Sequence, residues 1–242
     1  MRHVEIARPT GRAHLERVPT GWSVDLLEPD VVEDAADVLQ AAIDVVRGEG
    51  GGVLRLWVRA DDPVTAAAGD ALGFRDERSL HQLRRPLPVE APWDLAVRPF
   101  VVGQDEEAWL RVNNRAFEWH PEQGGWTLDD LRARIIEPWF DPAGFLLHEE
   151  HGELLGFCWT KAHRAATPPL GEIFVIAVDP SAGGRGLGRA LTLAGLDHLH
   201  SIGLATGMLY VDGTNAAGLH LYDELGFVLH HTDTSRTLTV EA

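Results

Sequence analysis

Residues 172–189 constrain this chain more than any other stretch. Glu172-Ile173-Phe174-Val175-Ile176-Ala177-Val178 is rich in β-branched and apolar side chains and reads as a buried strand. The strand ends at Asp179-Pro180 and gives way to Gly183-Gly184-Arg185-Gly186-Leu187-Gly188-Arg189, after which apolar periodicity carries a helix to about residue 202. Glycines let backbone N–H groups converge without Cβ obstruction, and a helix N-terminus carries partial positive charge, so such a turn suits a pyrophosphate. Arg185 and Arg189 add full charges. A plain strand-to-helix turn with glycine caps would look the same, so the surrounding chain has to decide.

Around that turn the pattern predicts a strand over 95–100, helices over 104–117 and 128–139, strands over 144–149 and 153–162 joined by His151-Gly152, then the strand–loop–helix above. A strand over 207–211, a helix over 215–225 and a last strand over 227–237 complete the order β-α-α-β-β-β-α-β-α-β. This is an α/β sheet with helices on both faces. Three prolines between 86 and 92 cannot continue a helix or a central strand, and mark a linker. Before it, the second half of the pattern recurs without a gap at an offset of 153 residues: a strand over 53–58, a short helix, then Leu72-Gly73-Phe74 matching Leu225-Gly226-Phe227. The expected organisation is a shortened module over 1–88, a linker over 89–94 and a complete module over 95–242.

Composition excludes several classes. A formal charge of −16 argues against general nucleic-acid binding, which needs a basic surface. The single cysteine, Cys158, forms no intramolecular disulfide and sits between Phe157 and Trp159 as a core residue, and no Cys/His spacing fits a metal site. The opening MRHVEIARPTGRAHLERV is not a signal peptide and no apolar run is long enough to span a bilayer, so a soluble, cytoplasmic protein acting as a monomer is expected, without metal, membrane or nucleic-acid partner. His198, His200, His220, His230 and His231 show no partner acid or ligand spacing, and Glu149-Glu150 reads as a solvated turn.

The loop spacing resembles the acetyl-CoA motif of the GCN5-related N-acetyltransferase (GNAT) family, (Gln/Arg)-x-x-Gly-x-(Gly/Ala), with Gly183 standing where that family has Gln or Arg. Downstream, Asn215-x-x-Gly218-x-x-Leu221-Tyr222-x-x-x-Gly226-Phe227 is similar to the family's Asn-x-x-Ala…Leu-Tyr…Gly-Phe segment. The resemblance implies tandem GNAT-like modules: a shortened N-terminal one and a complete C-terminal mixed sheet flanked by helices. Segments outside these motifs, among them Val112-Asn113-Asn114-Arg115-Ala116-Phe117, His120-Pro121-Glu122-Gln123-Gly124-Gly125-Trp126, Glu137-Pro138-Trp139-Phe140 and Gly156-Phe157-Cys158-Trp159-Thr160-Lys161, resemble the mycothiol synthase family. That resemblance implies transfer of acetyl from acetyl-CoA to a small-molecule amine, the cysteinyl amine of cysteinyl-glucosamine-inositol. Another primary amine, or a non-catalytic acyl-CoA-binding module, is the alternative.

Carried over by position, the resemblance implies that Glu122, Lys161, Glu172 and Tyr210 face the acceptor. It implies that Ile176, Ala177, Val178, Gly183, Gly184, Arg185, Gly186, Leu187, Gly188, Arg189, Asn215, Ala216, Ala217, Gly218, Leu219 and His220 line acetyl-CoA. The chemistry needs a base for the amine, for which Glu172 is placed, and an acid for the departing thiolate, for which Tyr222 and Tyr210 are the chain's two tyrosines. At the offset of 153, Asp62 stands opposite Asn215, Gly69 opposite Tyr222, and Glu33-Asp34 opposite Gly186-Leu187. Acidic groups repel a pyrophosphate and glycine donates no proton, so the first module is expected not to catalyse.

Overall fold

The computed structural model describes residues 3–9, 11–18, 21–27, 31–120 and 123–242. The chain packs into two compact units that are not consecutive in sequence: Met1–Gln82 with Val211–Leu219 and Leu229–Ala242, and Leu83–Tyr210 with His220–Val228.

The first unit opens with three antiparallel strands, β1 (His3–Arg8), β2 (Gly11–Val18) and β3 (Gly21–Leu27). Helix α1 (Val32–Gly48) then crosses over to β4 (Gly52–Val58), which runs parallel to β3, and α2 (Pro63–Ala71) leads into β5 (Arg75–Pro86). The antiparallel neighbour of β4 is the chain's last strand, β11 (Val228–Val240), in register from Thr234↔Val58 to Val240↔Gly52. Strand order is β1-β2-β3-β4-β11-β5. Its core is aliphatic, with Leu39, Leu54, Leu56, Val38 and Val46 fully buried beside Trp22 and Phe74.

The second unit begins with β6 (Arg98–Pro99), α3 (Glu106–Ala116) and α4 (Leu128–Ile135), followed by the antiparallel β7 (Phe145–Glu150), β8 (Glu153–His163) and β9 (Leu170–Val178). Helix α5 (Leu187–Ser201) connects to β10 (Thr206–Asp212), parallel to β9, and α6 (Ala216–Glu224) precedes β11. Strand order here is β10-β9-β8-β7-β6. The architecture is the expected α/β one, a mixed sheet with helices on both faces.

Two expected elements are shorter than the sequence suggested. The strand over 95–100 is reduced to Arg98–Pro99, because β7 offers it only two paired positions, Leu147 and Leu146. Its place is held instead by Arg98, whose guanidinium bonds Asp105 at 2.7 and 2.8 Å and Glu149 at 2.5 and 3.1 Å. The helix over 128–139 stops at Ile135, since Pro138 disfavours helical geometry in the residue before it. Glu149 and Glu150 are not a solvated turn either: both lie in β7 and are ion-paired, Glu149 with Arg98 and Glu150 with Arg185.

One face of the β7–β9 sheet is packed with aromatic rings. Trp159 stacks on Phe145 with centroids 4.3 Å apart, and Trp109 of α3 meets the rings of Phe145, Phe157 and Trp159 within 5.9 Å. Each such ring buries on the order of 150–250 Å² and locks α3 on the sheet. The other face receives α5 at close range. Gly195 lets the helix approach: a Cβ there would collide with Cys158 Sγ and lie 2.8 Å from Ile173 Cδ1. Cys158 is therefore a core residue, and burial pushes its thiol pKa far up.

The repeat is visible in detail. At the offset of 153, α2 coincides with α6, the turn glycine Gly73 (φ 84°) with Gly226 (φ 76°), and the parallel pairs Trp22↔Leu54 to Val24↔Leu56 with Gly171↔Gly207 to Ile173↔Leu209 on the β4/β10 side. Asp62 Oδ1 accepts from Thr65 N–H at 2.9 Å, as Asn215 Oδ1 accepts from Gly218 N–H at 2.9 Å; both residues cap the helix that follows.

The close approach of α5 predicts that Gly195→Ala destabilises the protein by about 1–3 kcal/mol through overpacking. The check is a fall of several degrees in Tm, with the mild Cys158→Ala substitution partly reversing it by vacating the space the new methyl needs.

Candidate active site

Register places the predicted acceptor-facing residues together. Lys161 of β8 pairs with Glu172 of β9, and Glu172 pairs with Met208 of β10. Directly paired residues project from the same face of a sheet, and Tyr210, two residues beyond Met208, projects from it as well. Lys161, Glu172 and Tyr210 thus share one face of three adjacent strands. Parallel pairing of β9 with β10 ends at Ile173↔Leu209, yet β9 continues to Val178. Ile176, Ala177 and Val178 therefore lie where β9 has no β10 partner, and their main-chain groups on that side are open to a ligand.

Glu172 is buried, only 7% exposed, and its Oε2 lies 2.7 Å from Nε2 of His163. A carboxylate removed from water needs such a partner. Lys161 extends over two rings, its Nζ 4.4 Å from the centroid of Trp139 and 5.4 Å from that of Phe174, a cation–π arrangement that fixes the ammonium. Lys161 and His163 line an open cleft of about 610 Å³, walled also by Trp139, Phe140, Asp141 and His198. Burial holds His198 below the ordinary histidine value, against the pull of Asp141 and Asp197. Tyr210 is 40% exposed. Tyr222, on α6, is buried edge-on to Phe227, and burial, with Cys158 beside it, pushes its phenol pKa well up. The structure thus separates the two tyrosines by environment: one on the open face, one in the core.

The glycine-rich loop has the shape expected of an anion cradle. Gly184 (φ 76°) and Gly186 (φ 78°) are left-handed, and a Cβ at either would meet nothing within 4 Å, so the space above the loop is clear. Gly186 is the N-cap of α5 and offers no side-chain cap, so the first N–H groups of the helix, at Leu187, Gly188 and Arg189, point outwards. Arg185 is half-exposed and pairs with Glu150 at 2.6 Å, while Arg189 is exposed. Gly183 is in extended backbone (φ −60°, ψ 155°).

Sequence reasoning gave no structural role to Asp179 or to the Asn113-Asn114-Arg115 run. Asp179 is fully buried; its Oδ1 accepts from the Ser181 N–H at 3.0 Å and hydroxyl at 2.7 Å, and its Oδ2 is held by Arg115 of α3. Burial opposes the charge on Asp179, but the Ser181 bonds and the Arg115 guanidinium outweigh it and hold the carboxyl below the usual range. Asn113 exchanges hydrogen bonds with Gln123 at 2.9 and 3.1 Å, and Asn114 with Trp126 at 2.8 and 3.0 Å. The Asn113-Asn114-Arg115 run thus ties two loops to α3. Glu122 lies outside the described residues. Asn215, Ala216, Ala217, Gly218 and Leu219 belong to the other compact unit, where Asn215 caps α6; His220 falls in the second.

The acetyltransferase (GNAT) family profile matches residues 109–227. The chain is 46% identical over 236 residues to the mycothiol acetyltransferase of Acidimicrobium ferrooxidans, covering 92% of this chain and 76% of that one. It is 50% identical over 200 residues to the mycothiol acetyltransferase of Thermomonospora curvata, covering 80% and 66%. Among solved structures, a tandem GNAT protein from the clavulanic acid biosynthesis pathway superposes with a TM-score of 0.69 at 16% identity, over 96% of this chain and 80% of that one; it shares the fold.

The Asp179 clamp carries a pH signature. Because its folded pKa is depressed, its contribution to stability is present above the unfolded value near 4 and is lost as pH falls through the folded one. Asp179→Asn is expected to cost on the order of 1–3 kcal/mol at pH 7, with the gap to wild type closing below about pH 4; urea midpoints at both pH values measure it.

Proposed function

We propose the function from one premise: the chain belongs to the mycothiol acetyltransferases, within the GNAT family of acetyl-CoA-dependent N-acetyltransferases. The acceptor is the cysteinyl amine of cysteinyl-glucosamine-inositol, and the product is its N-acetyl derivative, mycothiol. The observation that carries this reading is the shared face of Lys161, Glu172 and Tyr210, set beside the point where β9 loses its β10 partner.

The residues present fit acetyl-CoA. The clear space over Gly184 and Gly186 and the outward N–H groups of α5 suit the pyrophosphate, with Arg185 and Arg189 as cationic neighbours. The unpaired edge of β9 from Ile176 to Val178 suits an amide-bearing arm, and Asn215 to His220 are assigned to its far side by resemblance. Acetyl-CoA supplies the acyl group as a thioester. Glu172 accepts the proton that the acceptor amine gives up as it attacks the thioester carbon. Main-chain N–H groups near Val178 hold the carbonyl oxygen as it gains charge. Tyr222, kept protonated by burial, donates to the departing sulfur. Lys161, Tyr210 and Glu122 orient the pseudo-disaccharide.

We assign catalysis to residues 95–242 and a structural role to the module over 1–88, with 89–94 as the linker. At Gly69, opposite Tyr222, a Cβ would already lie 3.1 Å from Leu56 Cδ2, so no tyrosine fits there. Glu33 and Asp34 occupy the first turn of α1, where carboxylates stabilise the helix dipole and repel a phosphate. Neutralising both is expected to leave turnover within about twofold while lowering stability slightly.

The direct test is thiol release from acetyl-CoA with and without the cysteinyl-glucosamine-inositol acceptor, following the product by mass. Acceptor-dependent release with one acetyl group on the amine supports the assignment; acetyl-CoA binding without turnover rejects this acceptor. Glu172→Gln is expected to reduce kcat by roughly 10²- to 10⁴-fold. Tyr222→Phe should lower kcat, whereas Tyr210→Phe should chiefly raise KM for the acceptor. Equal, mild losses in both would remove the tyrosine acid from the scheme.

A further inference from the structure

We infer that His163 is a positioning residue for the catalytic base: it holds the Glu172 carboxylate through an Nε2–H donor so that one oxygen is spent on the histidine and the other faces the amine. The inference rests on Glu172 being the base, and goes beyond it by naming what aims that base.

Four observations carry it. First, the two groups are bonded at 2.7 Å between Nε2 and Oε2, the length of a charge-assisted hydrogen bond. Second, an ionised carboxylate only accepts, so when Glu172 is charged the hydrogen of this bond sits on Nε2. Third, the bond is built into the sheet. His163 pairs with Leu170 and Lys161 with Glu172, so His163 is the diagonal cross-strand neighbour of Glu172 on the same face. Fourth, the two side chains differ in exposure, 9% for Glu172 and 29% for His163. The buried carboxylate is thus held by a ring that itself lines the cleft.

The other ionisable groups lining the cleft are Asp141, Lys161, Arg164 and His198. Lys161 is directed onto Trp139 and Phe174, and His163 is the side chain hydrogen-bonded to the Glu172 carboxylate. Without it, Glu172 would lose both its fixed rotamer and its hydrogen-bond donor. A freely rotating carboxylate would present the wrong lone pair to the amine for much of the time.

The test compares His163→Gln, which keeps an N–H donor of similar reach, with His163→Leu, which keeps bulk and loses the donor, alongside Glu172→Gln. The expected result for His163→Leu is a fall in kcat of about 10- to 100-fold, as for loss of a charged hydrogen bond. KM for acetyl-CoA should be unchanged, because the histidine acts on the carboxylate that faces the amine. His163→Gln should restore most of the rate. An unchanged kcat in His163→Leu, or a Gln variant as impaired as the Leu variant, overturns the inference. Retained activity in Glu172→Gln would instead refute the base assignment itself. Should His163→Leu fold poorly, His163→Ala with added imidazole gives the same reading: rate recovery supports the donor role, and absence of recovery in a folded variant counts against it.

Discussion

Parallel pairing between β9 and β10 is confined to three residue pairs, and the site exists because it stops there. A parallel ladder that ran on to Val178 would satisfy every main-chain group of β9 and leave a continuous sheet. Ended at Ile173↔Leu209, it leaves five further residues of β9 with open hydrogen-bonding groups on one side. The strands are paired at Glu172 and unpaired soon beyond it, so the proposed base stands at the closed end of an opening whose walls are backbone. The glycine turn and the uncapped start of α5 follow directly from the same strand, and so the loop and Glu172 are fixed to one rigid element. The first unit repeats the three-pair ladder at equivalent positions but carries Gly69, Glu33 and Asp34 where the second has Tyr222, Gly186 and Leu187. The opening is therefore a property of the module's topology, and chemistry is added to it by a few side chains.

Support for the polar residues comes from aromatic packing. Trp159 and Phe174 are successive neighbours in a wall of rings, and Lys161 rests on the end of that wall rather than on a carboxylate. An ammonium resting on π-faces is held in a fixed direction beside Glu172. Beneath the glycine-rich loop the logic is reversed: Asp179 and Arg115 neutralise each other, so the loop is anchored by a pair with no net charge.

Much of this was legible in the sequence. The helix expected over 215–225 is Ala216–Glu224, and the strand expected over 207–211 is Thr206–Asp212, because strong periodicity and clear turn residues bound both. The strands β1 to β3 were not foreseen. In β2 only Ala13 and Leu15 are buried, between Arg, His and Glu, and such sparse alternation gives little apolar signal. Within the site, Lys161 and Glu172 came from resemblance, whereas His163 was passed over. Its role depends on how far the β8–β9 turn extends before the strands pair again, a register that spacing alone does not set. The alternation Lys161-x-His163 was the available clue. Asp179 looked like part of a turn, and its burial under Arg115 is a tertiary fact.

The position of β11 bears on how the protein is made. Strand β4, complete at Val58, has as its antiparallel partner a strand that begins at Val228. On the ribosome the first module therefore emerges with one edge of its sheet unfilled, and that edge stays open through synthesis of roughly 170 further residues. The order of assembly is inverted relative to the order of translation: the first unit to appear is the last to close, after the second half has already had time to form its strands. A chain arranged this way makes completion of its first unit report on completion of the second.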